Sequence, residues 1–171
     1  MKKKVVVFSQ LDSDVLQRLQ AQYQVEVINP KLGDVNQQIR EQVKDADAMI
    51  GAGRLLNESN LATAQQLKII SSVSVGYDNY DLAYLNQKKI WLSNTPHVLT
   101  ETTADLAFTL LMSAARKVPY LDQWTKQGQW KRTAAEAQFG RDISAKTLGI
   151  IGLGNIGAAI ARRGFYGFNM N

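Results

Sequence analysis

Short runs of β-branched and apolar residues alternate with helical periodicity over residues 4–93, and this rhythm constrains the fold more than any other feature. Residues 4–8, 24–28, 48–50, 67–73 and 90–93 read as strands. Four helical segments separate them. Residues 12–22 carry Val15, Leu16 and Leu19 at helical spacing behind the capping candidates Asp12 and Ser13. Asp34 can cap a helix to about Lys44 with Val35, Ile39 and Val43 on one stripe, Asn57 opens a helix to about Gln65, and residues 81–87 make the fourth. Strict alternation implies right-handed crossovers and a parallel sheet covered on both faces. The predicted architecture is α/β, flavodoxin-like, with five parallel strands.

Composition narrows the function classes. With 171 residues, 45% of them hydrophobic, there is material for a core, and the absence of cysteine excludes a disulfide scaffold and thiolate zinc sites. The apolar runs are too short to span a bilayer and the lysine-led N-terminus is too short for a signal peptide, so the expected setting is the cytoplasm, with no membrane partner. The formal net charge is +5, and most of the excess follows Leu99, where 9 basic residues face 5 acidic ones. It sits in scattered pairs such as Arg116-Lys117, Lys131-Arg132 and Arg162-Arg163, with no basic run interleaved with aromatics. That pattern reads as solvated faces and not as a nucleic-acid surface.

From Thr100 the pattern changes. Residues 100–118 leave almost no polar face, so they are expected to form a helix buried on most sides that ends or kinks near Pro119. Residues 120–140 read as a helix, a turn at Gly128 and a long connection bearing Trp124 and Trp130. Residues 147–151 then read as a buried strand. That strand runs into Gly152-Leu153-Gly154-Asn155-Ile156-Gly157, which matches G-x-G-x-x-G, and a helix follows over 158–165 until Gly167 ends it. A glycine fingerprint alone is weak; one between a strand and a helix is strong. Gly152 permits the tight turn, Gly154 lets a pyrophosphate approach the backbone, and Gly157 allows close helix-to-strand contact. The helix N-terminus offers free N–H groups and partial positive charge. The fingerprint also calls for an acidic residue, or an Arg, roughly 20 positions further on. Only fourteen residues follow Gly157, so the chain is expected to be a piece of a longer protein.

The segments Ser74-Val75-Gly76-Tyr77-Asp78-Asn79-Tyr80-Asp81-Leu82, Asn94-Thr95-Pro96, Glu101-Thr102-Thr103-Ala104-Asp105-Leu106-Ala107 and the glycine loop with its preceding strand carry a resemblance that covers the whole chain. The sequence resembles the D-isomer-specific 2-hydroxyacid dehydrogenases, and within them the bacterial glyoxylate/hydroxypyruvate reductases, also called 2-ketogluconate reductases. The resemblance implies a substrate domain over residues 1–99 and, over 100–171, the first βα unit of a Rossmann domain for NAD(H) or NADP(H). It implies reduction of small 2-keto acids such as glyoxylate, hydroxypyruvate or 2-ketogluconate to D-2-hydroxy acids. It also implies a homodimer formed through the cofactor domain, with residues 120–140 in the pairing arm.

Site residues follow by position. Val75 and Gly76 match the pair whose backbone N–H groups hold the substrate carboxylate; the residues alone also allow a tight turn that needs Gly76 for its dihedrals. Thr103 matches a cofactor contact, and it equally suits a helix-capping hydroxyl. Asn155 and Ile156 match the pair whose N–H groups meet the pyrophosphate, although many members carry Arg where Asn155 stands. Arg54, after the third strand, either helps hold an anionic substrate or is a surface arginine.

Reduction of a 2-keto acid needs a hydride donor, a general acid and a cation that polarises the keto oxygen. In the family the last two are a His oriented by a Glu, and an Arg, all following the glycine loop. No catalytic residue is therefore expected in this chain, which by itself is expected to be inactive. His97, the only histidine, reads as a hinge or surface residue. No Ser/His/Asp set, paired carboxylates or metal-ligand cluster stands at a working spacing. The alternative is a non-enzymatic, dinucleotide-sensing binding module of the transcriptional corepressor type.

Overall fold

Five strands form where the short apolar and β-branched runs place them: β1 (Lys4–Val7), β2 (Gln24–Val27), β3 (Ala48–Gly51), β4 (Ile69–Ser72) and β5 (Trp91–Ser93). The computed structural model describes residues 2–171. All pairings are parallel, in the spatial order β2-β1-β3-β4-β5. This is the flavodoxin-like order, whose switch point lies between β1 and β3. Central β1 buries Val5, Val6, Val7 and the following Phe8 alike, as a parallel strand with neighbours on both sides and cover on both faces must.

The intervening helices α1 (Ser13–Gln22), α2 (Val35–Gln42), α3 (Glu58–Leu61) and α4 (Leu82–Lys88) each begin on a side-chain cap. Asp12 accepts from the Asp14 N–H, Asp34 from Asn36 and Gln37, Asn57 from Ser59, and Asp81 from Tyr84. Each cap satisfies donors that a first turn leaves free. α3 is a single turn, shorter than its periodicity predicts. After Leu61 the chain is tied to the end of α2 instead: the Thr63 hydroxyl donates to Arg40 O at 2.8 Å and the Gln65 N–H to Lys44 O at 3.1 Å.

Charge fastens the amino end of the sheet. Asp47 accepts from Lys3 Nζ and from the Lys4 N–H, both at 2.9 Å. The Lys3 ammonium, and after it the Lys4 N–H, hold this carboxyl below its usual range. A carboxylate whose pKa is depressed on folding contributes stability above the unfolded value of about 4, and loses it as pH falls through the lower folded value. Asp47→Asn is therefore expected to lower the urea midpoint at neutral pH, with the gap to the native chain closing as pH drops below that value. A gap of constant size down to strongly acid pH would refute the assignment.

The chain divides into two compact units, Met1–Pro96 and His97–Asn171. The second holds α5 (Thr100–Ala115), α6 (Val118–Lys126) and α7 (Asn155–Arg162). The break expected near Pro119 is present: Lys117 turns left-handed at φ +55° and Pro119 occupies the first turn of α6. The stretch beyond Gly128 stacks Trp124 on Trp130, with ring centroids 6.3 Å apart.

Two expectations for this unit are corrected. α5 is not buried on most sides: it packs one stripe on α7 and buries only Ala104 and Phe108, while Leu106 and Leu110 are 59% and 60% exposed. One helix covers one stripe, and among the described residues nothing covers Leu106 and Leu110. Residues 147–151 do not form a buried strand. Asn171 alone flanks them, donating to Lys146 O at 3.0 Å and accepting from the Leu148 N–H at 2.9 Å, and Ile151 is fully exposed. A sheet strand needs neighbours along its length, and the described residues supply one residue of pairing. No helix among the described residues is long and apolar enough to cross a membrane.

Candidate functional site

In the first unit the predicted residues gather on the loops that follow β3 and β4. Beyond Ser72 a hydroxyl relay runs from Ser72 through Ser74 to Gly76 O, with both steps at 2.7 Å. Asn94 donates Nδ2 to Val75 O at 2.8 Å, and the Thr95 N–H donates to Ser74 O at 3.0 Å. The carbonyls of the loop are thereby held. The N–H groups of Val75 and Gly76 donate to nothing among the described residues. Gly76 is not left-handed, and a Cβ placed there would meet only Asp78 Oδ2 at 3.6 Å, an ordinary contact. The turn reading of Gly76 is thus not met. What the absent side chain provides is open access to two free donors.

Arg54 is half-buried in the neighbouring loop, and Asn79 ties the two loops by donating Nδ2 to Arg54 O. The Arg54 guanidinium enters no ion pair among the described residues. It lines a cleft of about 600 Å³ with Ser9, Gln10, Asn29 and Gly53, across the carboxyl ends of β1, β2 and β3. Val75 and Gly76 do not line that cleft. A groove of about 700 Å³ beside β5, walled by Leu85, Ile90 and Trp91, holds Lys89 as its one charged lining residue and none of the predicted site residues.

In the second unit two of the three loop glycines have a distinct geometric reason. Gly152 stands at φ +90°, in the region that favours glycine. A Cβ on Gly157 would collide with the Gly152 carbonyl oxygen, so α7 approaches the preceding segment as closely as its glycine allows. Gly154 has an ordinary φ of −85° and nothing within 4 Å of where a Cβ would stand. Its carbonyl accepts from the Ala158 N–H at 2.8 Å, while the N–H groups of Asn155, Ile156 and Gly157 have no acceptor among the described residues. Three free donors at the head of an eight-residue helix, beside an open glycine surface, can receive an anion. Thr103 is exposed on α5; its hydroxyl makes no hydrogen bond among the described residues, and α5 begins without a side-chain cap, so the capping reading is not met.

Sequence reasoning missed two contacts in this unit. Asn155 Nδ2 lies 3.3 Å from His97 Nδ1, and His97 is left-handed at φ +67°. At the far end of α7, Arg162 pairs with Glu101 at 2.9 Å, and Arg163 reaches both Glu101 and Asp105. Asp105 first, then Glu101, push the Arg163 guanidinium above its ordinary value. The i,i+4 carboxylates and the paired arginines were a visible charge pattern; the His97 contact left no sequence signal. No cluster of His, Asp and Glu among the described residues could hold a metal ion.

Comparison with known proteins gives one consistent family. Residues 5–165 match the profile of the D-isomer specific 2-hydroxyacid dehydrogenase catalytic domain. Glyoxylate/hydroxypyruvate reductase B of Citrobacter koseri is 37% identical over 170 residues, which are 99% of this chain and 52% of that protein. Among solved structures, the TT0316 protein of Thermus thermophilus gives a TM-score of 0.85 at 33% identity, covering 98% of this chain and 54% of that one. The NADPH-dependent glyoxylate/hydroxypyruvate reductase of Sinorhizobium meliloti, solved with NADP and malonate, gives 0.75 at 29% identity, covering 100% and 52%. The chain spans about half the length of the curated relatives it matches.

Proposed function

This chain belongs to the D-isomer specific 2-hydroxyacid dehydrogenases, and on that premise we propose that it carries the substrate-carboxylate loop and the pyrophosphate loop of a nicotinamide-dependent reductase of small 2-keto acids. One observation carries the reading. Neither Gly76 nor Gly154 is left-handed, a Cβ at either would meet nothing closer than Asp78 Oδ2 at 3.6 Å from position 76, and N–H groups without an acceptor among the described residues stand beside both. A glycine that no backbone demand explains leaves room for a group arriving from outside.

Under this reading residues 1–99 are the substrate domain and residues 100–171 open the cofactor domain. The Val75 and Gly76 N–H groups take the substrate carboxylate, and Arg54 adds positive charge on the adjoining loop. The N–H groups of Asn155, Ile156 and Gly157 take the pyrophosphate over Gly152 and Gly154, and Thr103 offers the cofactor a free hydroxyl. NAD(H) or NADP(H) supplies the hydride when bound; the part of this chain is to bind and orient. Glyoxylate, hydroxypyruvate and 2-ketogluconate are the proposed substrates, a class supported by the names of the Citrobacter and Sinorhizobium relatives for the first two. A homodimer through the second unit is part of the proposal, supported by the exposure of Leu110 and Trp130.

The chain alone is expected to bind without turning over, because its single histidine, His97, precedes the glycine loop, whereas the catalytic His of the family follows it. Amide NMR of the ¹⁵N-labelled chain tests this. Glyoxylate should shift the Val75 and Gly76 signals, NADPH or NADH those of Asn155, Ile156 and Gly157, and the mixture should show no loss of nicotinamide absorbance. Silent amides at millimolar ligand would overturn the binding reading, and nicotinamide oxidation would overturn the inactivity.

A further inference from the structure

We infer that Asn94 is a positioning residue for the substrate carboxylate: its side-chain amide fixes the peptide plane whose opposite edge presents the Gly76 N–H. This rests on the loop of Val75 and Gly76 being the carboxylate site proposed above. No described peptide is cis, and in a trans peptide the C=O and the following N–H share one plane and point in opposite directions. Holding the carbonyl therefore aims the N–H. The Val75 carbonyl and the Gly76 N–H belong to one peptide, and Asn94 Nδ2 donates to that carbonyl at 2.8 Å. The Ser74 carbonyl and the Val75 N–H belong to the peptide before it, and the Thr95 N–H donates to that carbonyl at 3.0 Å. Two consecutive donor peptides are thus pinned from behind by two consecutive residues. The sense of the Asn94 amide is fixed as well, because a carbonyl oxygen only accepts and Nδ2 is the donating end.

The sheet explains why these two residues reach the loop. β4 and β5 run parallel with Ser71 opposite Ser93 in their last rung, and Ser93 Oγ donates to Ser71 Oγ at 3.1 Å. The chain leaving β5 therefore emerges beside the loop that follows β4. Asn94 is half-buried there, whereas Val75 and Gly76 are exposed.

Pinning matters because the loop carries a competing acceptor. Asp78 Oδ2 stands 3.6 Å from where a Cβ on Gly76 would be. Glycine has the freedom to turn its peptide, and an N–H turned to that carboxylate would close the site. With Val75 O bonded to Asn94, the Gly76 N–H instead stays without an acceptor among the described residues. The same bond polarises the peptide and makes the N–H a stronger donor. A carboxylate then meets a donor already aimed, with little ordering left to do on binding. Thr95 does the equivalent for Val75 through its backbone; Asn94 acts through a side chain, which substitution can remove.

The experiment uses the 171-residue chain, labelled with ¹⁵N and ¹³C, and glyoxylate. Asn94→Leu, close in size but without a donor, should weaken glyoxylate about three- to tenfold, the range of one neutral hydrogen bond. At saturation the shift of the Gly76 amide should shrink while that of Val75 is kept, because Thr95 still holds Ser74 O. A general loosening of the loop would reduce both. In the native chain the Asn94 Nδ2 protons should move downfield as glyoxylate binds, since one peptide is then polarised from both edges; this reading decides the matter if the leucine variant does not fold. Native affinity in Asn94→Leu, equal loss at the two amides, or an unmoved Nδ2 signal while Gly76 responds would each overturn the inference and leave the carboxylate reading standing. If glyoxylate leaves the native Val75 and Gly76 amides unmoved, both fall.

Discussion

A methyl group added at position 157 is expected to abolish dinucleotide binding and loosen the second unit, whereas the same methyl at position 154 is expected to abolish binding alone. The Cβ of Gly157→Ala would collide with the Gly152 carbonyl oxygen and press on Gly152 C at 3.2 Å and Ile150 Cγ2 at 3.4 Å. Two of those atoms are backbone, so no rotamer relieves the clash and α7 must move away. Overpacking of this kind costs about 1–3 kcal/mol. Gly154→Ala meets nothing within 4 Å and keeps an ordinary φ, so its stability should stay within about 0.5 kcal/mol of the native chain. Its methyl instead occupies the surface by which phosphate oxygens would reach the free N–H groups. Losing two charge-assisted hydrogen bonds corresponds to roughly a hundredfold or more in affinity. Thermal unfolding and NADPH titration on both variants separate the effects; equal destabilisation by the two would show that the glycines share one structural role.

Phe8→Ala is expected to cost about 3–5 kcal/mol, a large fraction of the stability of a domain this size. Phe8 is 1% exposed at the carboxyl end of β1, and its N–H donates to Ile50 O at 3.0 Å. Its ring fills the space over Gly51 so closely that a Cβ there would stand 2.8 Å from Phe8 Cδ2. Removing the ring opens a cavity that the rigid sheet cannot close, directly beneath the cleft that Arg54 lines. Urea denaturation followed by far-ultraviolet circular dichroism reads the loss. A cost below about 1.5 kcal/mol would mean that the ring is not part of the close-packed core.

What could be read from residues alone was local or periodic. The strands β1 to β5 announced themselves as short apolar or β-branched runs, and Asp12, Asp34, Asn57 and Asp81 each cap the helix predicted behind them, because a cap is a contact between residues two or three apart. The roles of Gly152 and Gly157 followed from a spacing whose physics is confined to six residues. What stayed hidden depends on partners far along the chain. α3 stops early because Lys44 and Arg40 capture the residues after it. The exposed face of α5 and the sparse pairing of residues 147–151 are matters of long-range packing, which periodicity does not report. His97 and Asn155 are 58 residues apart, and only the packing of α5 on α7 brings them together.

The strand order carries a consequence for how the protein is made. Taken in chain order, β2 lies beside β1, β3 on the other edge of β1, β4 beside β3 and β5 beside β4. No strand has to be inserted between two that are already joined. Chains emerge from the ribosome N-terminus first, at about 5–20 residues per second, and domains fold as units. These five strands can therefore be added at a single advancing edge during translation, before the glycine loop has been synthesised.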